Sequence, residues 1–286
     1  MWKYDPSTNT WTQVANFGGT PRREAAAFGI DDFGYVGTGL DNTYTLKKDF
    51  WKYDPATNSW SQIANFGGTA RKQAVSFNMG GQGYVGTGDD GSFTKDFWQY
   101  EPITNTWLQR ADFAGTPRYN AAGFGIFPNA YIGTGYDNTL SYKNDFWEYN
   151  YFSNSWQQVS DFPSSPRAGA TAFSIGNIGY VGTGFDGQPV DDFYAYTPLL
   201  SVEENNNVSV RAFPNPTVNE LTITSTKNIK SIQVYTVEGK SVFTQSFNNN
   251  LQQINIDCSN FVDGIYLYSL SYDNNLSASG KFMVQK

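Results

Sequence analysis

The sequence has 286 residues, of which 19 are basic and 26 acidic, and a formal net charge of −7. This length allows a substantial core in one large body or in two ordinary domains. The acidic balance, without any cluster of lysine and arginine, argues against nucleic acid as a partner, and no apolar run approaches the roughly 18 to 20 residues of a membrane-spanning helix.

Residues 1–197 contain an internal repeat with a step of 47 to 49 residues. Tryptophan marks it most clearly, because all eight tryptophans fall in two positions nine residues apart: Trp2/Trp11, Trp51/Trp60, Trp98/Trp107 and Trp147/Trp156. Such a period with short strands is typical of sheet units that cannot bury their faces alone. A tryptophan row could bind sugars, but its large apolar area favours a structural role in the frame of the repeats.

Each copy of the repeat predicts four strands, which in the second copy cover residues 74–79, 83–88, 96–100 and 106–109. The first strand carries large side chains on one face and small ones on the other, which suits an innermost strand near a central axis. The second ends in Gly-Thr-Gly, where glycine indicates tight packing. The fourth is the most polar, so we expect it at the outer edge.

The order of motifs within one copy resembles the kelch repeat. Starting at Arg22, an arginine is followed by a strand of small and aromatic residues, then Tyr-Val-Gly-Thr-Gly, then Phe-Trp-x-Tyr-Asp-Pro-x-Thr-Asn-x-Trp. Gly-Thr-Gly stands where that family usually has a double glycine. The resemblance covers residues 1–197 and implies a β-propeller with four-stranded blades.

The number of predicted strands does not fit a small closed ring. Residues 2–14 supply a third and a fourth strand, residues 22–159 three full blades, and residues 167–197 a first, second and third strand. The chain also begins inside a copy, since residues 1–6 match residues 50–55 and no signal-peptide pattern precedes them. We therefore expect an incomplete, N-terminally truncated propeller of about four blades, with a closed small ring as the alternative.

The composition changes near residue 198, after which tryptophan is absent and asparagine is frequent. Residues 198–211 are predicted to be a linker. Residues 212–286 alternate apolar and polar side chains in short runs at 221–224, 231–235, 253–256, 264–268 and 281–284. This pattern predicts a small Ig-like β-sandwich, so both domains are predicted to be all-β.

The motifs of residues 212–286 resemble the C-terminal sorting domain of the type IX secretion system. They are Phe213-Pro214-Asn215-Pro216 and the segments 234–240, 263–267 and 281–286. The resemblance implies a Bacteroidetes-type bacterium, the secretion machinery as partner, and an extracellular or outer cell-surface location. The candidate sorting-signal residues are Pro214, Asn215, Pro216, Gly239, Lys240, Gly264, Tyr266 and Lys281.

Two groups of residues in the repeats are candidates for ligand contact. The repeated arginines could clamp carboxylates or sugars, although bonds to backbone carbonyls of a neighbouring blade are the favoured role: Arg22, Arg71, Arg118 and Arg167. The connections between second and third strands vary while the frame does not, and recognition commonly resides in such loops. Their aromatic contact candidates are Tyr44, Phe93, Tyr136, Tyr142 and Phe185.

The repeated acids are expected to stabilise turns rather than to bind calcium, because no calcium-loop motif is present. They are Asp49, Asp96, Asp145 and Asp192 before the third strand, and Asp41, Asp90, Asp137 and Asp186 after Gly-Thr-Gly.

The sequence argues against catalysis. It contains no histidine and one cysteine, Cys258, which removes the usual general base, the Ser/His triad and most zinc or copper ligand sets. We predict no catalytic residue, metal or cofactor. The predicted function is a non-catalytic module that binds a protein or glycan ligand, and the alternative is a propeller-fold carbohydrate-active enzyme that uses Asp, Glu and Tyr.

Overall fold

The computed structural model describes residues 1–198, 208–237, 239–273 and 276–286. Most of the predicted linker, residues 199–207, lies outside the described residues. The chain divides into two compact units, Met1–Thr197 and Pro198–Lys286. Antiparallel sheets build both units, and the described residues contain no α-helix, which confirms the all-β prediction.

The first unit consists of a hairpin, three four-stranded sheets and a three-stranded sheet. The hairpin contains β1 (Trp2–Asp5) and β2 (Thr10–Gln13). The first four-stranded sheet contains β4 (Ala26–Ile30), β5 (Phe33–Gly37), β7 (Phe50–Asp54) and β8 (Ser59–Ile63). The second contains β9 (Val75–Met79), β10 (Gln82–Gly86), β11 (Phe97–Glu101) and β12 (Thr106–Arg110). The third contains β14 (Ala122–Ile126), β15 (Asn129–Gly133), β17 (Phe146–Asn150) and β18 (Ser155–Val159). The last sheet contains β19 (Thr171–Ile175), β20 (Ile178–Gly182) and β21 (Phe193–Tyr196).

Two short ladders lie at one edge of the sheets. Each pairs residues just before the first strand of a copy with residues just after the second strand of that copy. They pair β3 (Arg22–Arg23) with β6 (Leu40–Asp41), and β13 (Arg118–Tyr119) with β16 (Tyr136–Asp137). The distribution of main strands matches the sequence prediction of two, twelve and three. The second strand of each copy ends earlier than predicted, because the threonine and last glycine of Gly-Thr-Gly have positive φ, as in Thr87 (56°) and Gly88 (105°).

Successive copies pack through their first strands, so that β4, β9, β14 and β19 lie side by side. The contact is close because glycine admits a ring from the preceding copy. A Cβ on Gly83 would lie 2.2 Å from the ring of Phe28, and one on Gly179 would lie 2.2 Å from the ring of Phe124. Repeated glycines therefore determine how closely the sheets can approach.

Backbone hydrogen bonds also join each copy to the next. The amide of Gln73 donates to the carbonyl of Glu24 (3.0 Å), that of Asn120 to Gln73 (3.0 Å), and that of Gly169 to Asn120 (2.9 Å). These four residues occupy the same position in successive copies and have a positive φ. The connections before the first strands are thus aligned along one edge of the sheets.

The tryptophans are half-buried where the frame is complete. The ring of Trp60 lies 5.1 Å from that of Phe17, and Trp107 has the same relation to Phe66. The structural role is therefore observed for the tryptophans of the full sheets. Trp11, by contrast, is 65% exposed on its two-stranded hairpin and contacts Tyr4.

One buried arginine holds the connections of each copy together. The guanidinium of Arg118 donates twice to the carboxylate of Asp145 (2.5 and 2.9 Å), and also to the carbonyls of Thr134 (2.9 Å) and Thr116 (3.0 Å). It lies 5.0 Å from the ring centre of Phe113. The same pairs recur as Arg22–Asp49, Arg71–Asp96 and Arg167–Asp192. The carbonyls belong to the same copy, and not to the neighbouring blade as expected.

Asp145, the aspartate paired with Arg118, stays ionised because its neighbours favour the charged form. Burial alone raises the pKa of Asp145, but the hydrogen bonds and charge of Arg118 and the indole of Trp147 (2.8 Å) lower it, and the net shift is downward. These acids were expected to stabilise turns. They instead accept bonds from arginine, because residues 25 or 27 positions apart meet in the fold.

The second unit is one five-stranded sheet. Its strands are β22 (Val210–Phe213), β23 (Glu220–Thr236), β24 (Ser241–Asp257), β25 (Gly264–Ser271) and β26 (Ser277–Val284). β23 pairs with β24 throughout, while its first part also pairs with β22 and its last part with β25. Register shifts near Ile229 lie between the two parts, so the predicted runs 221–224 and 231–235 belong to one long strand. The Ig-like class stays a prediction.

Replacing Arg118 by leucine should lower the free energy of unfolding of the first unit by about 3–5 kcal/mol, because Asp145 is left half-buried without its counter-charge. Urea unfolding measures this loss. Arg23→Leu is the matched control, since the side chain of Arg23 is 65% exposed, and its effect should stay within about 0.5 kcal/mol. Equal unfolding free energies for the two variants would contradict the role of the buried pair.

Acid should weaken the first unit through its buried carboxylates. Burial alone raises the pKa of Asp137. The hydrogen bonds from Lys143 and from the hydroxyls of Thr139 and Thr116 lower this pKa by more than burial raises it, so the folded pKa lies well below the usual range. The carboxylate therefore stabilises the fold above the unfolded pKa of about 4, and this contribution is lost as the pH falls towards the folded pKa. The difference in Tm between wild type and Asp137→Asn should be largest at pH 7 and shrink towards pH 2. A difference in Tm that does not depend on pH would contradict this role of the Asp137 carboxylate.

Candidate ligand-binding cleft

The variable connections return to the edge where the first strands begin. In the third copy, the ladder of β13 and β16 pairs Arg118 with Asp137 and Tyr119 with Tyr136. The buried Arg118 and Asp137 face inwards, while Tyr119 and Tyr136 are half-buried at the surface. A short backbone ladder thus presents two tyrosines side by side.

Aromatic rings from three copies form a continuous row at this edge, which we call the aromatic row: Phe93, Tyr119, Tyr136, Tyr142 and Phe185. Successive ring centres lie 4.9, 5.7, 5.1 and 6.0 Å apart in that order. Such separations are typical of interacting aromatic pairs. The rings hold one another in place without being fully covered.

Four of the five aromatic candidates predicted from the sequence are brought together in this row. Tyr44 is not part of it. It lies on the connection of the first copy, is 78% exposed, and has the guanidinium of Arg23 at 5.9 Å from its ring centre.

A cleft of about 660 Å³ opens along the row between the third and fourth copies. Its lining contains the aromatic residues Tyr119, Tyr136, Tyr142 and Phe185, together with Asn120 and the small residues Ala168, Gly169 and Gly184. Phe185 is 44% exposed, so the cleft offers accessible ring surface. A second depression of about 560 Å³, near Lys47 and Lys48, has no aromatic ring in its lining.

The rings of the row are not needed by the repeating frame. Backbone bridges at the same place in each copy pair Leu40 with Leu46, Asp89 with Phe93, Tyr136 with Tyr142, and Phe185 with Pro189. A backbone bridge therefore recurs in every copy while the side chains at its two ends differ. At the position of Tyr119 the other copies carry Arg23, Lys72 and Ala168. Among the four copies, only the third has tyrosine at each of the positions of Tyr119, Tyr136 and Tyr142.

The cleft itself is uncharged. Lys143 is committed to the buried Asp137 (2.9 Å), and Lys72 lies 3.5 Å from Glu24 and 3.7 Å from Asp89. Burial, and then the neighbouring Tyr136 and Asp89, raise the pKa of Tyr119, which keeps its hydroxyl protonated at neutral pH. The described residues contain no cluster of three Asp, Glu or Cys side chains able to hold a metal ion.

The repeated arginines lie outside the cleft surface, with the guanidinium groups engaged in the pairs described above. The acids after Gly-Thr-Gly do stabilise turns as predicted: Asp41 accepts from the amides of Thr43 and Thr45 (both 2.9 Å). Tyr119 and Asn120 were missed by sequence reasoning. Comparison of the four copies indicates Tyr119, because the residue type at its position differs between copies while the preceding residue is always arginine.

The predicted sorting residues Pro214, Asn215 and Pro216 lie in a segment that is tied to β26. The Asn215 side chain accepts from the Met283 amide (2.9 Å), and the Thr217 amide donates to the Met283 carbonyl (2.8 Å). This segment therefore helps to hold the last strand of the sheet.

The remaining sorting residues combine turn, core and surface positions. Gly239 (φ 86°) and Lys240 follow β23 in the turn that leads to β24. Gly264 begins β25, and Tyr266 is 3% exposed in the core against β26. Lys281 is exposed on β26. Within the described parts of the chain, no helix has the length and apolar character required to cross a membrane.

Comparison with known proteins identifies the tail. Residues 211–285 match the family described as Secretion system C-terminal sorting domain. An endo-acting ulvan lyase from Formosa agariphila is 36% identical over 89 residues, which make up 30% of this chain. The chain spans 17% of the length of that relative. The resemblance of the tail to a type IX sorting domain is thus confirmed, and it indicates export to the outside of the cell or to its outer surface.

The tail should direct another protein to the same destination. A reporter with a periplasmic signal peptide and residues 208–286 should reach the medium or cell surface of a bacterium that has this secretion system. The matched control lacks residues 277–286, because removal of β26 uncovers the core around Tyr266 and Leu270. Fractionation and immunoblotting measure the distribution, and periplasmic retention of the intact fusion would contradict the assignment.

Proposed function

We propose that this protein is a non-catalytic binding module that acts outside the cell, in which residues 1–197 form a kelch-type β-propeller and the aromatic cleft binds a protein or glycan ligand. The aromatic row is the main support for this proposal, because the repeating frame does not require its rings. The same backbone bridge supports Leu40 in the first copy and Tyr136 in the third. A side chain that the fold leaves free to vary is available for recognition.

The contacts between copies support the propeller. First strands lie side by side, aromatic rings seat against the glycines of the next copy, and backbone bonds join consecutive copies. Each copy thus covers the face of its neighbour, as blades do in radially repeated sheets. The half-buried tryptophans of the full sheets fit the same arrangement.

The charges near the cleft support binding without catalysis. Glycoside hydrolysis by the usual route requires two carboxyl groups on either side of the scissile bond. Asp137 is 0% exposed and paired with Lys143, and no carboxylate lines the cleft. The alternative of a carbohydrate-active enzyme would need an unpaired acid beside the rings.

Tyr142→Ala should weaken binding by at least about fivefold, because truncating a central contact aromatic commonly costs more than about 1 kcal/mol. Tyr44→Ala is the matched control, since it removes the same side chain from a connection outside the row. Glycan arrays and pull-down of candidate proteins identify the ligand, and titration compares the variants. Equal losses in both variants, or sustained turnover of a polysaccharide by the wild type, would defeat the proposal.

A further inference from the structure

We infer that the aromatic cleft takes an uncharged oligosaccharide chain, and that it discriminates against sulfated and uronate-containing glycans. This inference rests on the proposed binding function and specifies its ligand. Four features carry it: the aromatic and polar lining of the cleft, the length of the aromatic row, the neutralised charges around the cleft, and the glycine that keeps it open.

The residues that line the cleft offer the two kinds of surface that a sugar ring requires. The aromatic rings of Tyr119, Tyr136, Tyr142 and Phe185 provide apolar surface against which the C–H groups of a pyranose can pack. The tyrosine hydroxyls and the Asn120 amide add neutral donors and acceptors. A groove for an apolar peptide would need sockets for side chains, whereas the other lining residues, Ala168, Gly169 and Gly184, are small.

The length of the aromatic row favours a chain over a single sugar. Rings from the second, third and fourth copies follow one another from Phe93 to Phe185 at centre separations of 4.9 to 6.0 Å. A monosaccharide would contact one or two of these rings. Several linked sugars can lie along the whole row, so affinity should rise with chain length before it levels off.

None of the residues that line the cleft carries a charge that could pair with an anion. The nearby cations Lys143, Lys72, Arg118 and Arg167 already contact carboxylates. The first unit as a whole is acidic, with 13 basic and 19 acidic residues in positions 1–197. A sulfate or uronate would therefore lose water without gaining a counter-charge, which disfavours acidic glycans.

Gly169 keeps the cleft open. A Cβ on Gly169 would meet no atom within 4 Å, whereas the same position in the earlier copies carries the side chains of Glu24, Gln73 and Asn120. All four residues have positive φ, at 67° for Gly169 and 56° for Gln73. The frame thus accepts glutamine at this position, and a glutamine at 169 would project into the cleft.

The test uses the full chain and isothermal titration with defined probes: neutral β-1,4-glucan, β-1,3-glucan and mannan oligosaccharides of increasing length, sulfated and uronate oligosaccharides, and a proline-rich peptide. We expect at least one neutral series to bind, with acidic glycans at least about tenfold weaker, a difference of about 1.4 kcal/mol. Gly169→Gln should reduce neutral binding at least about tenfold, while the strain of a side chain at positive φ lowers the Tm by no more than about 4 °C. Gln73→Gly is the matched control and should bind normally.

Three results would overturn the inference. They are binding of an acidic glycan as tightly as a neutral one, binding of the peptide but of no neutral glycan, and unchanged neutral binding in Gly169→Gln. If an acidic glycan or the peptide binds and Gly169→Gln abolishes that binding, the cleft is still the site and the proposed function stands. If the cleft variants affect no ligand that the protein binds, or if a probe is turned over, the proposed function fails as well.

Discussion

The buried ion pair between arginine and aspartate is the interaction on which the first unit depends. In each copy it joins the turn before the first strand, the carbonyl of the threonine in Gly-Thr-Gly, and the residue before the third strand. That threonine adopts a positive φ, as Thr134 does at 55°, which is uncommon for a β-branched residue. The guanidinium holds its carbonyl in place, so the chain leaves every second strand in the same direction.

Because this pair fixes the ends of each variable connection, the residues between them are free to differ. Asp41 and Asp137 close their turns in the same way, yet Tyr136 and Tyr142 stand where the first copy has leucines. The side chains of the connections can therefore change from copy to copy without a cost to the frame. The aromatic row follows from this separation between a constant frame and variable connections.

The two units carry different parts of the biology. The tail matches a sorting family and accounts for export, and its buried Tyr266 and the segment around Asn215 stabilise the sheet that the machinery receives. The repeats carry the cleft. Export of a module with an uncharged aromatic cleft agrees with a role in binding polymers outside the cell, which is the function proposed for it.

The sequence by itself determined the period of the repeats, the distribution of their strands, and the sorting tail. These features depend on local alternation, on turn residues and on motifs that are read over short distances. It also placed Phe93, Tyr136, Tyr142 and Phe185 in variable connections, but it could not show that they meet or that Tyr44 lies apart from them. Tyr119 precedes a first strand and escaped notice for the same reason.

Only the tertiary structure decided which side chains share a surface. Arg118 meets an aspartate 27 positions away in its own copy, and Tyr119 meets Phe93 of the preceding copy. The first contact depends on the strand pairing that brings the variable connection back to the start of the first strand. The second depends on how closely successive sheets approach, which is set by glycine and ring packing between copies. Spacing along the chain predicts the sheets, while the cleft arises from the packing between them.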